Sequence, residues 1–338
     1  MRLTTALAAT GLLAGMGPAA AARAAGVHSA GPQPVATYSI VARDPATGRL
    51  GVAVQSHWFC VGALVPWAEA GVGAVATQSF VRVDYGPELL ADLRAGRAPE
   101  EALAARTKAD EGRAVRQVGL VDAKGRAASF TGKDCIASAG GRVGEGWAVQ
   151  ANIMADDSVV PAMAAAWEKA SGDFPLRLLA ALDAAQAAGG DLRGRQSAAM
   201  LIVEGKRQAE PWQGVLLDVR VDDHPEPLAE LRRLVAVHAA YDAANAGDAR
   251  LAAGDAAGAL ALYERAEELM PGNVELTFWR GIGLVQADRR DEGLAVLRRV
   301  FARERRWLEL VPRLVAAGHL ADDAELLAAI RAQAPPGR

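Results

Sequence analysis

The stretch TYSIVARDPATGRLGVAVQS, Thr37 to Ser56, decides the fold. Apolar and polar residues alternate through TYSIVARD, PATG supplies turn chemistry, and RLGVAVQS alternates again, so the segment predicts a β-hairpin. Thr37 opens its first strand. A β-branched residue suits that position by strand propensity alone, and any larger role for Thr37 has to be argued from what surrounds it.

Upstream, MRLTTALAATGLLAGMGPAAAARAAG has a cation at Arg2, an apolar stretch centred on Leu12 and Leu13, and small residues in A-x-A order near Ala22 and Ala24. This pattern predicts a cleaved secretory leader over residues 1–24, followed by a polar linker over 25–36, and hence export to a periplasmic or extracellular location. The alternative is an uncleaved anchor, since a span needs about 20 apolar residues.

Composition narrows the classes further. The 338 residues are 51% hydrophobic and 23% charged with a net charge of -3, a globular balance that, without long runs of like charge, gives no reason to expect a nucleic-acid contact. Cys60 and Cys135 lack C-x-x-C spacing; they fit two buried thiols, or a bridge if the fold brings them together. The five histidines are scattered with no H-E-x-x-H pair, so neither a metal nor another cofactor is expected.

Downstream, GVGAVATQS reads as a third strand after an irregular FCVGALVPWAEA. Its glycines suit close strand packing better than a nucleotide site, because no helix start follows. Two helical segments, GPELLADLRAG and PEEALAARTKAD, precede strands in AVRQVGLVDA, AASFTG and WAVQANIM, joined by Gly-rich turns at Lys124-Gly125 and Gly140-Gly141. Helices over 158–169 and 174–188 and strands in QSAAMLIVEG and GVLLDVRV complete the series. That order is not an alternating βαβ pattern. It predicts an α+β fold, a four-layer αββα sandwich of two stacked antiparallel sheets, each covered by helices, over residues 37–234.

The blocks TYSIVARDPATGRLGVAVQSHWFCVGALVPWAEAGVGAVATQSF, GRAVRQVGLVDAKGRAASFTGKDC, VQANIM, AAGGDLRGRQSAAMLIV and LLDVRVDDHPEPLAELRRL occur in order. Together they resemble the uncharacterised family known as domain of unknown function 1028, similar in fold to N-terminal-nucleophile hydrolases. The resemblance implies that Thr37, once it is the first residue, attacks an amide carbonyl through its hydroxyl while its own α-amine acts as base. An unperturbed α-amine pKa of about 7.7–8.0 suits that task. Many members of the family begin Met-Thr. Here, leader cleavage after Ala22 or Ala24 leaves Thr37 in mid-chain and requires a second cut after Ala36; direct leader removal at the P-V-A ahead of Thr37 is the alternative, disfavoured by the Pro three residues back.

Other candidates are weighed on the same terms. Ser56 and His57 end the second strand, beside Thr37 in a hairpin, as catalytic partners or as solvated turn residues. Gln78 and Ser79 end the third strand, and Asn152 lies in VQANIM; these are candidate substrate contacts. In GGDLRGRQSAAM, Asp191, Arg193, Arg195, Gln196 and Ser197 are dense enough to grip an anionic or amide substrate. They fit equally well a structural ion-pair network. The acids of DVRVDDHPEP are explained by a capping turn into a helix at Pro225.

The last third, residues 235–334, predicts a small all-α, tetratricopeptide-like domain. Gly247 and Gly281 are 281 − 247 = 34 residues apart; Ala259, Tyr263, Ala266 and Pro271 fit one repeat, and Gly293, Leu297 and Val300 fit part of the next. Trp307 and Trp279 are expected to pack inward. Three function classes stand open: an exported hydrolase of a small amide or peptide-like substrate, a non-catalytic binder of a small molecule or cell-wall fragment on the same fold, and a helical module recruiting a protein or cell-wall partner. A homo-oligomer is compatible with each.

Overall fold

A strand buried on both faces requires a layer on each side. β1 (Thr37–Arg43) is such a strand in the computed structural model, which describes residues 37–335: every residue from Thr37 to Ala42 is buried. The leader and linker expected over 1–36 lie outside the described residues. β2 (Leu50–Ser56) pairs antiparallel with β1 around the predicted turn. Then follow β3 (Pro66–Glu69), β4 (Gly73–Ser79), α1 (Tyr85–Arg94), α2 (Pro99–Ala109), β5 (Arg116–Asp122), β6 (Ala127–Thr131), β7 (Gly140–Gly144) and β8 (Trp147–Asn152). α3 (Val159–Lys169), α4 (Phe174–Ala187), β9 (Ser197–Val203), β10 (Val215–Val221) and α5 (Pro227–Ala252) come next, and α6 (Ala256–Leu269), α7 (Val274–Gln286), α8 (Arg290–Arg303), α9 (Val311–Ala316) and α10 (Ala324–Arg331) close the chain.

The protein is therefore mixed α and β, with two antiparallel sheets ordered β10-β9-β2-β1-β8-β7 and β3-β4-β5-β6. Alternation along each strand divides the apolar residues into three clusters. Tyr38, Ile40 and Val149 of the larger sheet pack with Met163 and Trp167 of α3, Leu178 and Leu182 of α4, and Leu231 and Val235 of α5. Val41, Leu50 and Val52 meet Ala74, Ala76 and Val121 of the other sheet. Val75, Val118 and Leu120 pack under Leu89 and Leu93 of α1 and Leu103 of α2.

Two strands depart from the sequence reading. β3 falls in a segment read as irregular, and β7 occupies a segment read as a glycine turn. Both lie at sheet edges, where one side is unpaired and the side chains are half-buried or exposed, so neither needs the alternation that marks a buried strand. α5 begins at Pro227 rather than Pro225, and His224 Nδ1 accepts the Glu226 N–H at 3.0 Å just ahead of it.

α5 runs unbroken through residues 234 and 235, and the described residues cluster as one unit. Its first half sits on the sheet and its second half, through Ala240 and Ala244, packs with Ala266 and Leu276. Asp255 caps α6, Asn273 caps α7 and Asp323 caps α10, each accepting a backbone N–H of the first turn. Phe278, Leu297, Phe301 and Ile330 form the local core, with Trp279 and Trp307 partly buried against it. No described helix is long and apolar enough to cross a membrane.

Candidate functional site

Where β1 begins, four strands of the larger sheet lie in register. Thr37 is opposite Ser56 on β2 and Asn152 on β8, and Ser56 is opposite Ser197 on β9. Because alternate residues share a face, Thr37 and Ser39 lie on the inter-sheet side with Val41, and Asn152 and Gln150 lie there with Ala148. That face changes character along its length: apolar at Val41, Leu50 and Val121, polar at the Thr37 end. Thr37, Ser39, Ser56, Gln78, Gln117, Gln150, Asn152 and Ser197 are all 0% exposed, and none carries a charge.

Burying such groups is tolerated only when they bond one another. Thr37 Oγ1 donates to Ser56 Oγ at 3.3 Å. Gln78 Nε2 donates to the Thr37 carbonyl at 3.2 Å and to Gln117 Oε1 at 2.8 Å, while Gln78 Oε1 accepts the Ser39 hydroxyl at 2.5 Å. Gln150 Nε2 donates to Ser39 Oγ at 2.6 Å, and Asn152 Nδ2 donates to Gln117 Oε1 at 2.8 Å. Asn152 Oδ1 and Gln150 Oε1 are buried acceptors without a hydrogen-bond partner among the described residues. Asn152 Oδ1 thus belongs to the side chain across from Thr37, ready for a donor. Gly119 on β5 makes room for the Gln150 amide.

On the helix-facing side of the same strand end, the Tyr38 hydroxyl donates to Gln186 Oε1 at 3.0 Å. Burial, then the nearby Asp191 and Asp183 carboxylates, hold the Tyr38 pKa well above its ordinary value, which keeps it a neutral donor.

The remaining predicted residues divide. Asp191, 4% exposed, accepts the His57 backbone N–H at 3.0 Å and the Arg193 backbone N–H at 2.9 Å, and its carboxylate also pairs with the Arg193 guanidinium at 3.1 Å. It clamps the 191–196 turn to the residue following Ser56. Arg195 pairs with Glu226, and Gln196 bonds the Ser56 carbonyl through its N–H at 3.2 Å and Asp223 through its side chain at 3.3 Å. These contacts fit the structural network considered from the sequence. Ser197 Oγ accepts the Val61 N–H at 3.2 Å and donates to the Trp58 carbonyl, fastening the turn after β2. His57 therefore reaches the site through its backbone; its Nδ1 is buried without a hydrogen-bond partner among the described residues. Ser79 stands apart: it ends β4 opposite Arg116 with φ +68°, and its buried hydroxyl has no hydrogen-bond partner among the described residues.

Sequence reasoning missed Ser39, Gln117 and Gln150. The available signal was a polar residue recurring at the same pleat parity in strands otherwise apolar on both faces. The two cysteines are free, Cys60 Sγ donating to Asp222 Oδ1 at 3.2 Å and Cys135 Sγ to the Arg116 carbonyl at 3.4 Å. Burial raises the Cys135 pKa. No group of three or more His, Cys, Asp or Glu able to hold a metal occurs among the described residues. A cavity of about 600 Å³ lies among the C-terminal helices and is not lined by Thr37 or its partners.

Among solved structures, the chain is similar to the protein SPO2555 of Silicibacter pomeroyi, itself matched by the DUF1028 family model. The two are 36% identical with a TM-score of 0.54, over 59% of this chain and 84% of that one. No curated protein matches the chain. The strands and turns that gather around Thr37 fall within the family match: over residues 37–231 the sequence fits the model of the family of unknown function DUF1028, and the chain belongs to that family.

Proposed function

We propose that this protein is an amide-bond hydrolase whose nucleophile is Thr37, acting once Thr37 is the first residue of the mature chain, on a four-layer αββα sandwich of the N-terminal-nucleophile kind. The observation that carries the reading is the position of the Thr37 hydroxyl. It stands at the polar end of the layer between the sheets, bonded to Ser56 and across from Asn152, with its carbonyl held by Gln78.

The chemistry follows from those atoms. Thr37 Oγ1 attacks the carbonyl carbon of a neutral amide and passes its proton to the freed α-amine. Collapse of the tetrahedral species returns that proton to the leaving amine and leaves an ester on Thr37. Water, activated by the same amine, then releases the acid. Asn152 Oδ1 is an unpartnered acceptor suited to holding the α-amine, and the neutral amides of Gln78, Gln117 and Gln150 favour a substrate that presents hydrogen bonds rather than charge. Asp191 and Ser197 are positioning residues that hold the turns flanking Ser56. On this reading the leader over 1–24 exports the chain to the periplasm or beyond, and a cut after Ala36 activates it. Residues 235–334 form a tetratricopeptide-like appendage for a protein or cell-wall partner.

Two chains test the mechanism, one beginning at Arg23 and one beginning Met-Thr37, from which the host removes Met. Each is treated with an alkyl β-lactone, and mass spectrometry locates the adduct. The chain trimmed to Thr37 is expected to be acylated on Thr37, its Thr37→Ser variant more slowly and its Thr37→Ala variant not at all, while the longer chain stays unlabelled until cut. Equal labelling of both chains would show that a free Thr37 amine is not the base. No label on either would leave the polar end as a binding pocket.

A further inference from the structure

The cavity among the C-terminal helices has no part in the chemistry above, and its construction is specific. It opens between α5 and α7, lined by Asp248 and Leu251 of α5, Tyr263 of α6, Trp279 and Gln286 of α7, and His319 beyond α9. Its volume, about 600 Å³, falls in the range of ligand sites. Two glycines shape the floor. A Cβ on Gly247 would come within 2.7 Å of one edge of the Tyr263 ring, and a Cβ on Gly283 within 2.6 Å of the other. With glycine at both positions the ring lies between the two helices, and its hydroxyl donates to Asp248 Oδ1 at 2.6 Å.

That bond orients a carboxylate. Burial, then the Asp248 bond, raises the Tyr263 pKa well above its ordinary value, so the phenol remains a donor. Asp248 Oδ2 has neither a hydrogen bond nor an ion pair among the described residues. Its neighbours are matched: Asp242 with His238, Asp255 with Arg250, Glu264 and Glu267 with Arg280, and Glu275 with the Tyr241 hydroxyl. No lysine or arginine is among the residues lining the cavity. An oriented carboxylate without a counter-charge thus shares a solvent-open cavity with an indole. Gln286 Nε2 is held by the His319 carbonyl at 2.7 Å, which leaves Gln286 Oε1 as an acceptor at the rim.

We infer that this cavity binds the basic side chain of an extended peptide, its ammonium or guanidinium paired with Asp248 and set against Trp279, with a peptide N–H meeting Gln286. A cation is attracted both by the face of an indole and by a carboxylate, and the two attractions reinforce each other where water is partly displaced. The inference does not depend on the role of Thr37.

Isothermal titration of the full chain at low salt tests it, with acetyl-hexalysine amide, the same peptide acetylated on every Nζ, and 1,5-diaminopentane as probes. Saturable binding of hexalysine is expected, weakened at least tenfold by lysine acetylation, by Asp248→Asn and by Trp279→Leu. Asparagine keeps the acceptor for Tyr263, so Asp248→Asn should unfold at the wild-type temperature and serve as the decisive variant. Asp242→Asn removes the same charge from α5 outside the cavity and should leave binding unchanged. Absence of binding at millimolar peptide, equal binding by the acetylated peptide, unchanged binding in Asp248→Asn, or equal losses in Asp242→Asn and Asp248→Asn would each overturn the inference. Diaminopentane binding as tightly as hexalysine would assign the site to a free amine and overturn the peptide.

Discussion

Gly119→Ala probes the buried network that surrounds the candidate nucleophile. A Cβ at this position would stand 2.0 Å from Gln150 Oε1, 2.5 Å from its Cδ and 2.8 Å from its Nε2. On a protein surface a glutamine end would swing aside. Here the residue is 0% exposed and its Nε2 is engaged with Ser39 Oγ at 2.6 Å, so displacing it breaks that bond inside the protein. Overpacking a filled core costs roughly 1–3 kcal/mol, and a buried amide that loses its partner costs another 1–3 kcal/mol or so. Replacing a strand glycine by alanine recovers about 0.5–1 kcal/mol. The expected net effect is therefore a destabilisation of about 1–5 kcal/mol. In a Gln150→Ala background the obstruction is gone and the alanine should be neutral or stabilising. Urea unfolding of the four chains in this cycle should give a coupling energy of at least about 1.5 kcal/mol. A penalty that is the same in both backgrounds within roughly 0.5 kcal/mol would show that Gly119 and Gln150 do not meet as described, and the polar layer would have to be redrawn.

Three further outcomes are expected. Asp44 and Asp110 are both held below the ordinary carboxylate value of 3.8: burial opposes their charge but is outweighed, for Asp44 by the Thr47 hydroxyl and N–H and by Arg177, and for Asp110 by Arg116 and the Gly112 N–H. A depressed folded-state pKa contributes stability that is present above the unfolded value and lost as pH falls below it, so the acid limb of a stability–pH curve should flatten in Asp44→Asn/Asp110→Asn. Asp191→Ala should destabilise the chain by about 1–3 kcal/mol, because it leaves the His57 N–H without its acceptor; a thermal shift within error of zero would remove Asp191 as the clamp. A chain ending at Asn245 retains Leu228, Leu231 and Val235 on the sheet, and should keep a cooperative unfolding transition with lower solubility; loss of that transition would make the C-terminal helices part of the same folding unit.

The sequence determined the strands whose two faces are both buried, because those strands must alternate or stay apolar throughout. Thr37–Arg43, Leu50–Ser56 and Gly73–Ser79 were legible for this reason, whereas the caps Asp255 and Asn273 of the C-terminal helices emerged only from the structure. The edge strands Pro66–Glu69 and Gly140–Gly144 were not, since an exposed edge places little demand on residue type. Thr37, Ser56, Asn152 and Gln78 were named from strand ends, but their meeting depends on register, which local pattern does not contain. Register between β1 and β8, whose partners Thr37 and Asn152 are 152 − 37 = 115 residues apart in sequence, is set by which side chains fill the layer between the sheets. The dense polar turn at 191–197 likewise finds its partners only in the folded chain. Read alone, its charges fit a substrate as well as a clamp; packed against the strand ends, Asp191 closes on His57 and Arg193 while Arg195 closes on Glu226. A charge reveals its partner only once distant segments are brought within hydrogen-bonding distance, so the chemistry of this turn belongs to the tertiary structure.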